Sequence, residues 1–213
     1  MPKSRIKIKR DIVLPRPEPT RSFSLFVIAV EGEKTERLYF LKFGNSKIKV
    51  VTLPTTAGYS SPEHIMERLS TYRQHNDLQD EDECWLVFDI DHRTDDFMET
   101  MYEQALKRRF RLAVSNPCFE IWLFLHGFDM SELDNEIRQA NAEKRSAKMK
   151  EFLPYNYRAV PIHQFRLDLQ QAIQRAKELE KGRNKHYPRF PGTDVYKLVE
   201  HLPMKFEHEG EAS

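Results

Sequence analysis

Trp85-Leu86-Val87-Phe88-Asp89-Ile90-Asp91 is an apolar run that ends in two carboxylates spaced two apart. A short continuous apolar stretch bounded by polar residues is the pattern of a strand buried on both faces. In such a strand, residues two apart point to the same side, so Asp89 and Asp91 are expected to converge on one hard cation at its carboxyl end. Upstream lies a second run, Phe23-Ser-Leu-Phe-Val-Ile-Ala-Val30, which stops abruptly at Glu31-Gly32-Glu33-Lys34-Thr35-Glu36. Two buried strands with acids at their tips point to one active site.

Outward from these runs, strand-like and helix-like stretches alternate. The strand at 23–30 precedes a helix expected over Thr35 to Phe43 and a strand over Ile48 to Leu53. Thr55 to Ser61 reads as a loop, and Pro62 suits the first turn of a helix reaching about Arg73. An acidic loop, Asp77 to Glu83, leads into the strand at 84–89. A helix over Asp95 to Arg109, a strand at 110–115 and a helix carrying Phe119, Trp122, Leu123 and Leu125 follow. The order βαβαβαβα predicts an α/β fold: a parallel, Rossmann-like sheet with helices on both faces and ligands at the carboxyl ends of its strands.

Beyond 127 the strand signals fade, and a helical extension over 127–204 is expected to pack on the sheet domain of residues 23–126. Ser131 to Phe152 is polar and helical in propensity. From His163 to Lys181, Phe165, Leu169, Ala172, Ile173, Ala176 and Leu179 fall on one helical face. Thr193 can cap a last helix bearing Val195, Leu198, Val199 and Leu202. Residues 205–213, with Glu207, Glu209 and Glu211, read as a disordered tail.

The 213 residues suffice for one domain with a substantial core. The 34 basic and 33 acidic residues leave a net charge of +1, so overall charge does not call for a polyanion. Its distribution is more telling: residues 1–22 hold Lys3, Arg5, Lys7, Lys9, Arg10, Arg16 and Arg21 against Asp11 and Glu18, with four prolines, and read as a flexible basic arm. No signal-peptide core and no membrane-length apolar run is present, so a cytoplasmic protein without membrane contact is expected. Cys84 and Cys118 each lie in an apolar segment, which suits buried reduced thiols and argues against zinc.

Acids at strand tips suit Mg²⁺, with Mn²⁺ as a substitute, because such ions take oxygen ligands and keep waters open for a phosphate. Asp89 and Asp91 would hold the metal. Glu31 would complete the shell or act as general acid or base, since a carboxylate crowded by others has a raised pKa. His92 and Arg93 follow directly and can meet the scissile phosphate or charge building in the transition state. In Ser115-Asn116-Pro117-Cys118-Phe119-Glu120, Ser115 or Asn116 can cap a helix whose first turn holds Pro117. Glu120, an acid among apolar neighbours, needs a partner and is assigned to the active site. Cys118 is read as a structural thiol. Lys34 can meet a phosphate or face water. Among the later basic residues interleaved with Tyr155, Tyr157, Tyr187 and Phe190, those in the loop, Arg183, Lys185, His186 and Arg189, are the better candidates for tracking a nucleic-acid backbone.

Val30-Glu31-Gly32 at the end of one strand, with Phe88-Asp89-Ile90-Asp91 at another, resembles the Toprim domain of topoisomerases, bacterial primases, OLD-type nucleases and small maturation ribonucleases. Within that superfamily, Glu31-Gly-Glu-Lys-Thr-Glu36, Ser115-Asn-Pro-Cys-Phe-Glu-Ile-Trp-Leu123 and Gly192-Thr-Asp-Val-Tyr-Lys-Leu-Val-Glu200 resemble the RloB family, AbiLii-like proteins of phage defence. The resemblance implies a Toprim-like sheet, Glu31 as catalytic glutamate, and Asp89 and Asp91 as metal ligands. OLD-type nucleases often carry a second acid after this glycine; Glu36 would take that place, although it stands one residue farther on than that pattern. It also implies a nucleic-acid substrate, a role as effector of abortive infection, and a companion ATPase of the ABC or AAA type encoded nearby. A homo-oligomer is left open, as are DNA against RNA and one metal against two.

Two other functions compete. A haloacid-dehalogenase-type phosphatase also uses an Asp-x-Asp at a strand end, but Arg93 stands where that motif carries Thr or Val, and Glu31-Gly32 would have no role. A binding or regulatory Toprim module without catalysis would not need all three principal acids.

Overall fold

The computed structural model describes residues 24–32, 34–45, 48–53, 61–79, 81–153 and 165–202. The basic arm, the acidic tail, most of the loop at 55–61, and Tyr155, Tyr157 and Arg158 lie outside the described residues. The strands are β1 (Ser24–Val30), β2 (Ile48–Leu53), β3 (Glu83–Asp89), β4 (Arg111–Asn116) and β5 (Gly192–Thr193). The helices are α1 (Thr35–Leu41), α2 (Pro62–His75), α3 (Asp95–Lys107), α4 (Glu120–Leu125), α5 (Asn135–Gln139), α6 (Ala142–Phe152), α7 (Phe165–Glu180) and α8 (Val195–His201). One sheet of order β2-β1-β3-β4-β5 is parallel except for β5, which runs antiparallel to β4. The fold is the expected α/β, Rossmann-like one.

The apolar runs are continuous because both faces of the sheet are covered, and period-2 alternation sorts their side chains. Phe26, Ile28, Val30, Trp85, Val87 and Ala113 face one layer with Tyr39 and Phe40 of α1, Trp122 and Phe124 of α4, Leu169 and Ala172 of α7, and Leu198 of α8. Leu25, Val27, Ala29, Leu86, Phe88, Leu112 and Val114 face the opposite layer, against Ile65 and Leu69 of α2 and Met98 and Met101 of α3. Fully buried side chains such as Ile28, Leu86 and Phe88 each contribute about 1.5–3 kcal/mol relative to exposure. Cys84 and Cys118 are free and buried, as expected.

Several local expectations change. Ser131 to Phe152, helical in propensity, is divided into a 3₁₀ turn over Met130–Glu132 followed by α5 and α6. Asp129, Asp134 and Asn141 each accept a backbone N–H at the start of the next turn, so three capping side chains interrupt a helix that propensity alone would continue. Ser115 and Asn116 belong to β4 and cap nothing: the Ser115 hydroxyl meets that of Thr193 at 2.8 Å, and Asn116 donates to the Pro188 carbonyl. Pro117 lies ahead of α4, and its carbonyl accepts from Asp91 N. The two-residue β5 was invisible because it is too short to carry a period. Thr193 accepts from Val195 N at 3.2 Å, while Asp194 holds the N-cap position of α8.

Candidate active site

β1 and β3 are neighbours, and their pairing extends past β1 through the bond from Glu31 N to Val87 O. This brings Glu31 beside Asp89: Asp89 N donates to Glu31 Oε2 at 3.0 Å. Arg93 locks the pair, donating to Glu31 Oε1 at 2.8 Å and to the Asp89 carbonyl. The Asp89 carboxylate accepts from Phe119 N at 2.8 Å, satisfying a donor at the entrance of α4.

Two buried acids complete the cluster. Glu36 on α1 and Glu120 at the start of α4 are only 7% and 5% exposed. Burial raises the Glu36 carboxyl to about 7, and the charges of Glu120 and Glu31 add to the rise. Burial first, then the charges of Glu36, Glu31 and Glu120, hold Asp89 well above the usual carboxylate range. Glu31, Glu36, Asp89 and Glu120 therefore act on one another electrostatically. Cys118 beside them stays a thiol, pushed up by burial and by Asp89 and Glu120, which leaves it without a nucleophile's thiolate.

Asp91 departs from the strand-alternation expectation. β3 ends at Asp89, and Asp91 takes a left-handed conformation, φ 47°, that aspartate tolerates better than most residues. Its carboxylate accepts from the Ser146 hydroxyl at 2.9 Å and lies 3.4 Å from His92 Nδ1, whose side chain is largely exposed. The strongest carboxylate neighbours of Asp89 are instead Glu36, Glu31 and Glu120.

Sequence reasoning missed two residues of α6. Ser146 holds Asp91, and Lys150, one turn later on the same face, places Nζ 3.9 Å from Asp89 Oδ2. Desolvation lowers the Lys150 ammonium, but Asp89, Glu120, Cys118 and Glu36 outweigh it and hold the group above its ordinary value. No local signal marks these residues: a Ser and a Lys in a polar helix read as solvated surface until α6 is packed.

The remaining candidates divide. Gly32 lies against Glu36, while Lys34 is exposed just before α1. Arg183 is taken up by ion pairs with Asp194 and Glu180, and its place is structural. Lys185 pairs with Asp95, and Arg189 hydrogen bonds Asn184; both line a groove that also borders Asp91 and Arg93.

The donors are all carboxylate oxygens, the kind a hard divalent cation takes. In the arrangement present, Glu31 is paired with Arg93 and Asp89 with Lys150. Among the described residues no three His, Cys, Asp or Glu side chains stand ready to share one ion. The expected set of Glu31, Asp89 and Asp91 is thus not brought to a common point, because Glu31 turns to Arg93 and Asp91 to Ser146.

Residues 26–202 match the family described as RloB-like protein. The chain belongs to that family. No curated protein and no solved structure matches it. No helix of the described residues in this RloB-like chain is long and apolar enough to cross a membrane.

Proposed function

We propose that this RloB-like protein is a Mg²⁺-dependent nuclease of the Toprim type, cleaving phosphodiester bonds of DNA or RNA as the effector of an anti-phage system. One observation carries the reading: Glu31, Glu36, Asp89 and Glu120 gather at the carboxyl ends of β1, β3 and β4 with Lys150 beside them. Ligands of open parallel sheets bind at that edge.

Asp89, Glu31, Glu36 and Glu120 would have to turn toward a common point to hold the metal, Glu31 giving up Arg93, with Asp91 reaching it only after leaving Ser146. Bound there, Mg²⁺ supplies Lewis-acid stabilisation of the phosphoryl oxygens and a more acidic water. The protein's own groups do the rest. Arg93 fixes Glu31 against the β3 tip, so the two strand ends act as one rigid wall. Without a bound ion the Glu36 carboxyl stands near 7, so metal uptake by this group would release a proton near neutral pH. Lys150 is a cation at the mouth of the cluster that can offset charge developing on the phosphate. A companion ATPase, the usual neighbour in defence loci of this kind, would restrain the activity until infection; co-purification with the genomic neighbour tests that part.

The activity itself is tested by incubating plasmid, single-stranded DNA and tRNA with the protein in Mg²⁺ or Mn²⁺, beside Asp89→Ala and Glu31→Gln. Cleavage by wild type alone is expected. Retained cleavage in both variants would remove the assigned site, and binding without cleavage under any condition would turn the protein into a non-catalytic module.

A further inference from the structure

Next to the acidic cluster runs a groove of about 410 Å³, within the size range of ligand sites. Its walls are the tips of β3 and β4, the start of α6 and the segment 185–190. Arg93, Arg145, Lys185 and Arg189 line it together with Asp91 and Asp95, so cations outnumber acids. Arg93 is committed to Glu31 and Lys185 to Asp95.

The other two arginines are differently placed. Arg145 lies over the Phe190 ring, its guanidinium carbon 4.0 Å from the centroid, and its buried Nε has no hydrogen-bond partner among the described residues. Among the described residues Arg189 donates to the neutral Asn184 amide, at 2.7 Å, and its charge reaches Asp95. Among the described residues no carboxylate forms an ion pair with either. A guanidinium held in place by stacking, with no carboxylate partner, can offer its terminal nitrogens as a fork to phosphate oxygens.

The chain fixes this arrangement. Asn116 donates to the Pro188 carbonyl and pairs with Gly192 in the sheet, which docks the segment against β4. Gly192 permits the tight path: a Cβ there would lie 2.7 Å from the Arg189 carbonyl oxygen and 3.0 Å from Pro188 Cβ.

We propose that this groove holds the backbone of a single nucleic-acid strand flanking the bond to be cut, with Arg145 and Arg189 gripping its phosphate. The inference rests on the nuclease reading and adds the strandedness of the substrate. A groove of this volume has room for one backbone, whereas a duplex displays its phosphates on a convex surface and would meet the groove only along its rim.

Fluorescence polarisation in EDTA with a labelled 20-nucleotide single strand, as DNA and as RNA, and with the matching duplexes, tests it. The double variant Arg145→Ala/Arg189→Ala is expected to bind the single strand about tenfold more weakly, with a salt slope shallower by about 0.7 for each phosphate no longer neutralised. Lys107→Ala, at the far end of α3, should bind as wild type does. Arg189→Ala alone removes only an exposed side chain and keeps the test valid if the Arg145 change unfolds the protein. Single-strand binding unchanged in the double variant, or an equal loss on duplex, would overturn the groove while leaving the nuclease reading intact. Absence of single-strand binding by wild type would overturn the groove, while cleavage in Mg²⁺ decides the nuclease reading separately.

Discussion

A side chain at Gly32 would run into Glu36: an ideal Cβ there lies 2.0 Å from Glu36 Oε2 and 2.5 Å from Oε1. The glycine after Glu31 is needed for space, because the turn from β1 into α1 folds the Glu36 carboxylate back over it. The two residues are therefore one device for holding a buried acid beside Asp89.

Gly32→Ala should move the carboxylate rather than break the fold, since the clashing atoms end a flexible side chain. Nuclease activity is expected to fall to the level of Glu36→Gln, with the melting temperature within a few degrees of wild type. Cleavage assays beside thermal melts check this, and a fully active Gly32→Ala would show that Glu36 is dispensable.

Stability in EDTA should depend on pH through Glu36. Its folded carboxyl stands at about 7 against 4.5 when free, so between these values the folded state keeps a proton that the unfolded chain has released. Its contribution is fully present below about 4.5 and lost as pH rises through about 7, a change of about 3 kcal/mol at most. Glu36→Gln removes this dependence. Urea unfolding at pH 5 and pH 8.5 should show the variant gaining on wild type at the higher pH; parallel profiles would contradict the assignment.

Lys150→Met should lower turnover on the order of a hundredfold, with a much smaller change in substrate affinity. Lys150→Arg, which keeps the charge, should recover part of it. Equal activity in all three proteins, in single-turnover assays, would return Lys150 to the solvated surface.

Arg183→Met should destabilise the protein by about 3 kcal/mol, because it strips a guanidinium from Asp194, which is 1% exposed. The loss stays at the low end since Lys197 still approaches Asp194 at 3.0 Å. Denaturant melts measure it, and single-strand affinity should not change. A stable variant with weakened binding would make Arg183 a substrate contact after all.

The sheet was legible because β1, β3 and β4 are buried on both faces, leaving apolar runs that polar residues bound sharply. Glu31, Asp89 and Glu120 were legible for the same reason: an acid that ends such a run or interrupts an apolar helix start is conspicuous. Asp91 was placed wrongly in detail because strand alternation was carried two residues past the point where β3 ends. Ser146 and Lys150 were missed because their role depends on α6 lying over β3, an approach between positions 55 or more residues apart that no local pattern encodes. Arg183 and Arg189 look alike in sequence and separate only when Asp194 claims one of them.

The most direct measurement is a titration with Mn²⁺ in which free ion is followed by electron paramagnetic resonance. Wild type should take up Mn²⁺ saturably, Mg²⁺ should compete, and Asp89→Asn and Glu36→Gln should each weaken uptake. Uptake by both variants indistinguishable from that of wild type would contradict the central claim that Glu31, Glu36, Asp89 and Glu120 form a divalent-cation centre.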